Sequence, residues 1–369
     1  MSSLDRLIAN TIRADVRAVG SYNVPDPSGF IKLDAMENPY QLPERLHAEL
    51  GRRLAAAALN RYPLATYATL KAAICEELGV PQGYDVMLGN GSDELISIID
   101  MATARQDRQG PRSVVVAPVP AFVMYQRSAQ FAGMDFVGVP LTATFELDMP
   151  AMRAAIATHQ PAVLYLAYPN NPTGNLFDAA DMAELIDLLG EKGLAVVDEA
   201  YEPFAQTSFM EHLPEFPNLI VMRTLSKLGL AGIRLGYMSA APALLAQFDK
   251  VRPPYNINVL TQVAAEFALE HIDILDEQAD TINAARTTLT ADLAALGGVE
   301  VFESSANFLL FRVADSDAVT AKLALAKVLV KNLGKMHPLL ANCIRVTVST
   351  PEENTAFLAA LTEALTSKL

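Results

Sequence analysis

Short, uninterrupted apolar runs recur along this chain, separated by longer stretches in which apolar and polar residues alternate with helical spacing. The runs at 114–117, 136–139, 162–167, 194–197 and 219–222 read as strands buried on both faces. Between them, 149–157 and 178–189 combine helical periodicity with good helix formers. Alternating strands and helices predict an α/β fold: a mostly parallel central sheet with helices on both faces. Ligands in such sheets sit beyond the carboxyl ends of the strands, so chemistry is sought there.

The pattern changes near residue 261. Residues 261–296 read as helical, 308–313, 328–331 and 344–348 as short strands, and 351–365 as a closing helix. This predicts three parts: an N-terminal arm (1–43) whose extended 20–43 stretch crosses both domains, a large domain (44–260) and a smaller C-terminal α/β domain (261–369). No internal repeat or low-complexity tract interrupts them.

Composition narrows the class. At 51% hydrophobic residues the chain is globular, and a net charge of −14 argues against a general nucleic-acid binder while allowing a local basic pocket. Cys75 and Cys343 stand alone without metal-ligand neighbours, so no disulfide framework or metal site is expected, and a reducing cytosol is. The N-terminus lacks a continuous apolar core, and no apolar window is long enough to span a bilayer, which predicts a soluble protein.

Candidate chemistry gathers after the strands. Thr224-Leu225-Ser226-Lys227, with Arg234 beyond, offers an amine nucleophile, hydroxyls and a fixed cation. That set suits a phosphorylated aldehyde cofactor held as a Schiff base: a neighbouring cation or apolar pocket lowers the amine pKa, and arginine with serine neutralises a phosphate. Alone, such a triplet is more often solvated surface. Tyr168-Pro169-Asn170-Asn171-Pro172-Thr173-Gly174 is a rigid turn, which also aims Asn171 at an acceptor oxygen. In Asp198-Glu199-Ala200-Tyr201 the plainer reading of Asp198 is a helix cap. The functional one pairs it with a protonated pyridine nitrogen, and Tyr201 with a phenolate oxygen. Gly89-Asn90-Gly91-Ser92-Asp93-Glu94 precedes an apolar helical run and is either an ordinary capped start or a phosphate site made of free amides. Phe122 brings an aromatic ring to the same edge.

Together with Met36-Glu37-Asn38-Pro39, Asn60-Arg61-Tyr62-Pro63, Leu230-Ala231-Gly232-Ile233-Arg234-Leu235-Gly236 and Ile344-Arg345-Val346-Thr347-Val348, these motifs make the chain resemble, nearly end to end, the fold-type I pyridoxal-phosphate enzymes, and among them the histidinol-phosphate aminotransferases. The resemblance implies pyridoxal 5′-phosphate as cofactor and transamination between histidinol phosphate and 2-oxoglutarate. It makes Lys227 the Schiff-base lysine and proton carrier. Asp198 becomes the partner of the ring nitrogen, and Asn171 and Tyr201 partners of the ring oxygen. Phe122, where the family often has tyrosine, stacks on the ring. Gly91, Ser92, Asp93, Thr224, Ser226 and Arg234 lie around the phosphate. Tyr62 reaches the cofactor phosphate of a neighbouring subunit, which implies a homodimer with shared active sites. Arg345 binds the substrate anion, Tyr22 and Asn38 close over it, and Lys331 stands where relatives place a second arginine. Ser349 replaces a common glycine.

The same lysine and aspartate serve an aromatic-amino-acid aminotransferase or a threonine-phosphate decarboxylase. A non-catalytic regulator on this fold fits poorly with an intact lysine, and a serine hydrolase lacks a glycine-flanked serine elbow.

Overall fold

The computed structural model describes residues 2–21, 25–105 and 110–366. Strand β1 (Ile31–Lys32) lies in the N-terminal segment. Next come β2 (Asp85–Gly89), β3 (Val114–Val119), β4 (Asp135–Pro140), β5 (Val163–Ala167), β6 (Leu194–Asp198), β7 (Leu219–Thr224) and β8 (Gly236–Ala240). Those seven form one sheet in the order β2-β8-β7-β6-β5-β3-β4, parallel except for β8, which runs antiparallel to both neighbours.

Successive side chains of the central strands enter two different cores. Leu164, Leu166, Ala195, Val197, Leu219 and Val221 pack on one face, and Val163, Tyr165, Val196, Ile220 and Met222 on the other. Burial on both faces is why these strands read as unbroken apolar runs. The expected helices also form. Asp148 and Asp178 cap Met149–His159 and Ala179–Leu189 by accepting from first-turn amides.

Two strands escaped the sequence pattern. The apolar stretch of β2 is only Val86-Met87-Leu88, and β8 opens on Gly236 and carries Ser239. Their pairing hides that polarity, because the Ser239 hydroxyl donates to the Asp85 carbonyl at 3.1 Å.

The smaller unit is a four-stranded antiparallel sheet of β9 (Glu300–Val301), β10 (Phe308–Arg312), β12 (Lys331–Asn332) and β13 (Cys343–Thr347), ordered β12-β13-β10-β9. Strand β11 (Val328–Leu329) pairs instead with β1. The run expected at 328–331 is therefore two strands: Val328 and Val330 both enter the small-unit core while the backbone passes from one sheet to the other. The helix Val259–Leu269 gives Ala265 and Leu269 to the core around the large sheet, and Ile272–Ala294 gives Ile282, Leu289 and Leu293 to the core of the small unit.

The N-terminal segment is hydrogen-bonded on two sides. The Leu33 amide donates to Leu329 O and the Thr347 amide to Leu33 O, both at 2.8 Å, and the Asn307 side-chain amide donates to Met36 O at 3.0 Å. Asn38 Nδ2 donates to Leu228 O at 3.0 Å, just beyond β7. Among the described residues no helix is long and apolar enough to cross a membrane.

Candidate active site

A cavity opens at the carboxyl ends of β3, β5, β6 and β7. Residues at or just after each strand end reach it, because a parallel sheet ends its central strands on one edge. Gly91, Ser92, Asp93, Phe122, Asn171, Asp198, Tyr201, Thr224, Ser226, Lys227 and Arg234 all line it. Ten residues expected from four separate motifs thus meet, with Phe122, around one space.

At one end the donors are anion-seeking. The helix Ser92–Thr103 begins at Gly91 with no side chain capping its first amides. Those amides and the positive end of the helix dipole face the cavity edge. Gly91 sits at φ +73°, a backbone conformation that favours glycine, and a Cβ there would lie 2.9 Å from the tip of Arg234. A Cβ on Gly236 would come within 2.9 Å of the Ser92 amide, which holds β8 close beneath this turn. Ser226 Oγ is buried without a hydrogen-bond partner. A buried hydroxyl lacking a partner, an uncapped helix start and a guanidinium fit a phosphate group. Among the described residues, Arg234 forms an ion pair with Asp93 at a long 3.4 Å.

At the other end lie the carboxylate and the phenols. Asp198 is 4% exposed, and burial pushes its carboxyl up to about 6, against the hydrogen bonds from Tyr125 and the Ala200 amide. The Tyr125 hydroxyl donates to Asp198 Oδ2 at 2.7 Å and the Ala200 amide to Oδ1 at 3.1 Å. Its sequence neighbour Glu199 faces the opposite way. It pairs with Arg223 Nε at 2.9 Å and accepts from the Ser208 hydroxyl and the Phe209 amide. Strand alternation gives these adjacent carboxylates separate work, Glu199 a structural anchor and Asp198 a pocket group.

Lys227 lies between the two ends. Burial, followed by the charge of Arg345, lowers its amine to about 8, with Glu37 opposing and Arg234 adding to the shift. Its Nζ donates to the Ala35 carbonyl at 3.1 Å and stands 5.8 Å from the centre of the Tyr201 ring. Asn171 Nδ2 donates to the Tyr201 hydroxyl at 3.0 Å, while Asn171 Oδ1 accepts from Arg345 at 2.5 Å. Arg345 also donates to the Asp34 carbonyl at 3.1 Å. It therefore joins the pocket through Asn171 and the N-terminal segment.

The remaining expected residues lie elsewhere. Asn38 does not line the cavity: its amide is used on Leu228 O and Gln278 Oε1, and its carbonyl accepts from the Tyr40 amide. Lys331 pairs with Arg345 across β12 and β13 but does not line the cavity either. Tyr62 is 81% exposed and stacks on Tyr255 with ring centres 4.7 Å apart. Tyr22 lies outside the described residues. The Ser349 hydroxyl donates to Glu353, at the start of the last helix.

Sequence reasoning missed Tyr125, Met36 and the carbonyls of Asp34 and Ala35. Tyr125 had a faint signal, standing three residues after Phe122 at the first turn of the helix Val123–Ala132, where it faces the same edge. Backbone carbonyls carry no sequence signal.

This donor set is that of an enzyme holding a phosphorylated pyridine aldehyde, and comparison with known proteins agrees. The family described as "Aminotransferase class I and II" matches residues 28–361. Histidinol-phosphate aminotransferase 1 of Ralstonia nicotianae is 59% identical, covering 98% of this chain and 96% of its own. Histidinol-phosphate aminotransferase 2 of Cupriavidus pinatubonensis is also 59% identical, covering 99% and 100%. Among solved structures, the histidinol-phosphate aminotransferase of Sinorhizobium meliloti in complex with pyridoxal-5′-phosphate superposes with a TM-score of 0.83 at 23% identity, over 96% of this chain and 97% of that one. The chain belongs, within the class I and II aminotransferases, to the histidinol-phosphate aminotransferase family.

Proposed function

We propose that this chain uses pyridoxal 5′-phosphate to move an amino group between histidinol phosphate and 2-oxoglutarate, giving imidazole acetol-phosphate and glutamate, a step of histidine biosynthesis. The observation that carries this reading is the setting of Lys227: a buried amine lowered to about 8, between an anion-seeking end and a buried carboxylate. Near pH 8 much of that amine is neutral, as attack on a carbonyl requires.

Bound there, the cofactor supplies an electron sink for breaking the substrate Cα–H bond. Ser226, Arg234 and the amides at Ser92 and Asp93 would hold its phosphate. Asp198 would accept a hydrogen bond from the protonated ring nitrogen. Asn171 and Tyr201 would donate to the ring oxygen, and Phe122 would lie against the ring. Lys227 Nζ would take the proton from the substrate Cα and deliver it onward. Arg345 binds the substrate phosphate in one half-reaction and the α-carboxylate of glutamate in the other, and Lys331 adds a point charge beside it.

The deciding experiment compares half-reactions. Histidinol phosphate is expected to convert the cofactor far faster than phenylalanine does. A much faster reaction with phenylalanine would overturn the assignment in favour of an aromatic aminotransferase, and carbon dioxide release from threonine phosphate would mark a decarboxylase.

The same reading includes a cytosolic homodimer in which Tyr62 serves the partner's pocket. In support, Tyr62 does not line its own cavity, and it is exposed together with Leu59, Leu64 and Tyr255, apolar surface suited to burial against a second copy. Sedimentation should give twice the chain mass, and Tyr62→Phe should weaken cofactor retention severalfold.

A further inference from the structure

Behind the pocket, two buried carboxylates are each met by a buried phenol. Tyr125 gives its hydroxyl to Asp198 Oδ2 at 2.7 Å, and Tyr165 gives its hydroxyl to Asp100 Oδ1 at 2.8 Å. The two phenol rings stack face to face, with centres 4.5 Å apart and planes 3° from parallel. Phe122 meets the Tyr125 ring edge-on at 5.7 Å. Tyr125 is 1% exposed, and Tyr165 and Asp100 are fully buried.

We propose that Tyr125 is a positioning residue for cofactor chemistry: held in place by the Tyr165 ring, it fixes and keeps ionised the Asp198 carboxylate that faces the cofactor ring nitrogen. The inference rests on the pyridoxal-phosphate reading of the pocket.

Three observations carry it. First, among the described residues no cation forms an ion pair with Asp198. The nearby charges acting on it are those of Asp93 and Glu199, which disfavour its ionised form as burial does. A buried carboxylate in that position keeps its charge only through hydrogen bonds to the anion. It has two, and Tyr125 is the one supplied by a side chain. Second, the donor is immobile. A phenol clamped between a parallel ring and a perpendicular one has no room to swing, so its hydroxyl fixes the carboxylate plane. Third, Tyr125 lines the cavity itself, at the side where Phe122 stands. The residue that sets the electron sink therefore touches the residue expected to cover the ring.

Tyr165 and Asp100 repeat the arrangement one layer deeper without reaching the pocket, which supplies an internal control. Tyr125→Phe keeps the ring stack and deletes only the hydroxyl at Asp198, and Tyr165→Phe does the same at Asp100. Each variant is loaded with pyridoxal phosphate labelled with 15N in the ring, and the nitrogen resonance, the cofactor dissociation constant and the kcat and KM for glutamate are measured.

In Tyr125→Phe the resonance should move from the protonated toward the neutral position. Its kcat should fall roughly tenfold with KM for glutamate nearly unchanged, the cost of one hydrogen bond to a charged group. Tyr165→Phe should leave the resonance in place. In an Asp198→Asn background, Tyr125→Phe should add no further loss of kcat, because the hydroxyl acts through the carboxylate. That background also removes the buried charge, so it reads the coupling even if Tyr125→Phe alone folds poorly. An unmoved resonance with wild-type kcat in Tyr125→Phe, equal shifts in both phenylalanine variants, or additive losses with Asp198→Asn would each overturn the inference. Failure of the wild-type protein to bind pyridoxal phosphate would overturn the cofactor reading with it.

Discussion

The two sides of the pocket are made by different means. The side around Asp198 and Ser226 is built on the carboxyl ends of the sheet's buried central strands, with Arg234 just before β8. The side around Arg345 is assembled from pieces far apart in the chain: β13 of the smaller unit and the carbonyls of Asp34 and Ala35, some 311 residues from Arg345 in the first case. Lys227 is where they meet, since it springs from the sheet side yet rests its amine on Ala35 O. A rigid edge suits a cofactor that stays, and an assembled wall suits substrates that alternate. Asn171 is the bolt between them, giving its amide to Tyr201 and its carbonyl to Arg345.

The largest effect should come from the residue both sides share. Lys227→Ala should lower kcat by roughly 10⁵-fold or more, because it removes nucleophile and proton carrier together. The protein should remain folded, since no buried ion pair is lost with the amine. Single-turnover kinetics and a melting curve check both halves of the statement.

On the assembled side, Arg345→Ala should cost roughly 10²–10³-fold in kcat/KM, for glutamate and for histidinol phosphate alike. The loss combines a charge-assisted contact to the substrate with Asn171 Oδ1 and Asp34 O left without their donor. If the two sides are separable, cofactor affinity should fall much less than kcat/KM. Lys331→Ala, which leaves those bonds intact, should cost only a fewfold. An equal loss for both variants would show that the charge, and not the guanidinium fork, does the binding.

The unequal legibility of the sequence follows from the same difference. The sheet side was readable because each strand end carries its own short motif: Asn171 in a proline-locked turn, Asp198 after an apolar run, Ser226 and Lys227 after another. Apolar runs fix where a strand stops, and the stop fixes where the next polar residue points. The assembled side was half hidden. Arg345 was expected from the resemblance, but one of its partners is the Asp34 backbone carbonyl, a group every residue has. Asn38 was expected from the resemblance to close over the substrate, and in the fold its amide ties the N-terminal segment to Leu228 and Gln278. Tyr125 was missed because a helical tyrosine among Val123, Met124 and Ala129 looks like ordinary core. The strands β2 and β8 were lost to the three-residue apolar stretch of β2 and to Gly236 and Ser239 in β8, the latter's hydroxyl being bonded to the neighbouring strand.

A third test addresses what the sheet side costs the empty protein. Burial holds the Asp198 carboxyl at about 6, against an ordinary value of 3.8. Between those values the folded chain keeps a proton that the unfolded chain has released. Stability therefore falls as pH rises through this window and stays lower above it. In the cofactor-free protein, Asp198→Asn removes that fall and should be more stable at pH 8 by on the order of 1–2 kcal/mol, and no more stable near pH 3.5. The full linkage value is reduced because an asparagine gives up one of the two bonds accepted from Tyr125 and Ala200. Denaturant melts at the two pH values check it, and equal stability at pH 8 would mean that Asp198 is not strained when the site is empty.

The smallest effect is the cleanest separation of cofactor binding from folding. Ser226 Oγ is buried and has no partner within the protein, so in the empty pocket it contributes a desolvated hydroxyl and nothing in return. Ser226→Ala should then leave the melting temperature of the cofactor-free protein unchanged or slightly raised. With the cofactor present the sign reverses, because the hydroxyl has a phosphate oxygen to meet. One hydrogen bond to a charged acceptor contributes about 1.5 kcal/mol, so the cofactor dissociation constant should rise roughly tenfold. Arg345→Ala should show the opposite pattern, with a small change in cofactor affinity and a large one in substrate turnover. If Ser226→Ala instead destabilises the cofactor-free protein, its hydroxyl has a structural partner, and the phosphate must be held by Arg234 and the helix amides alone.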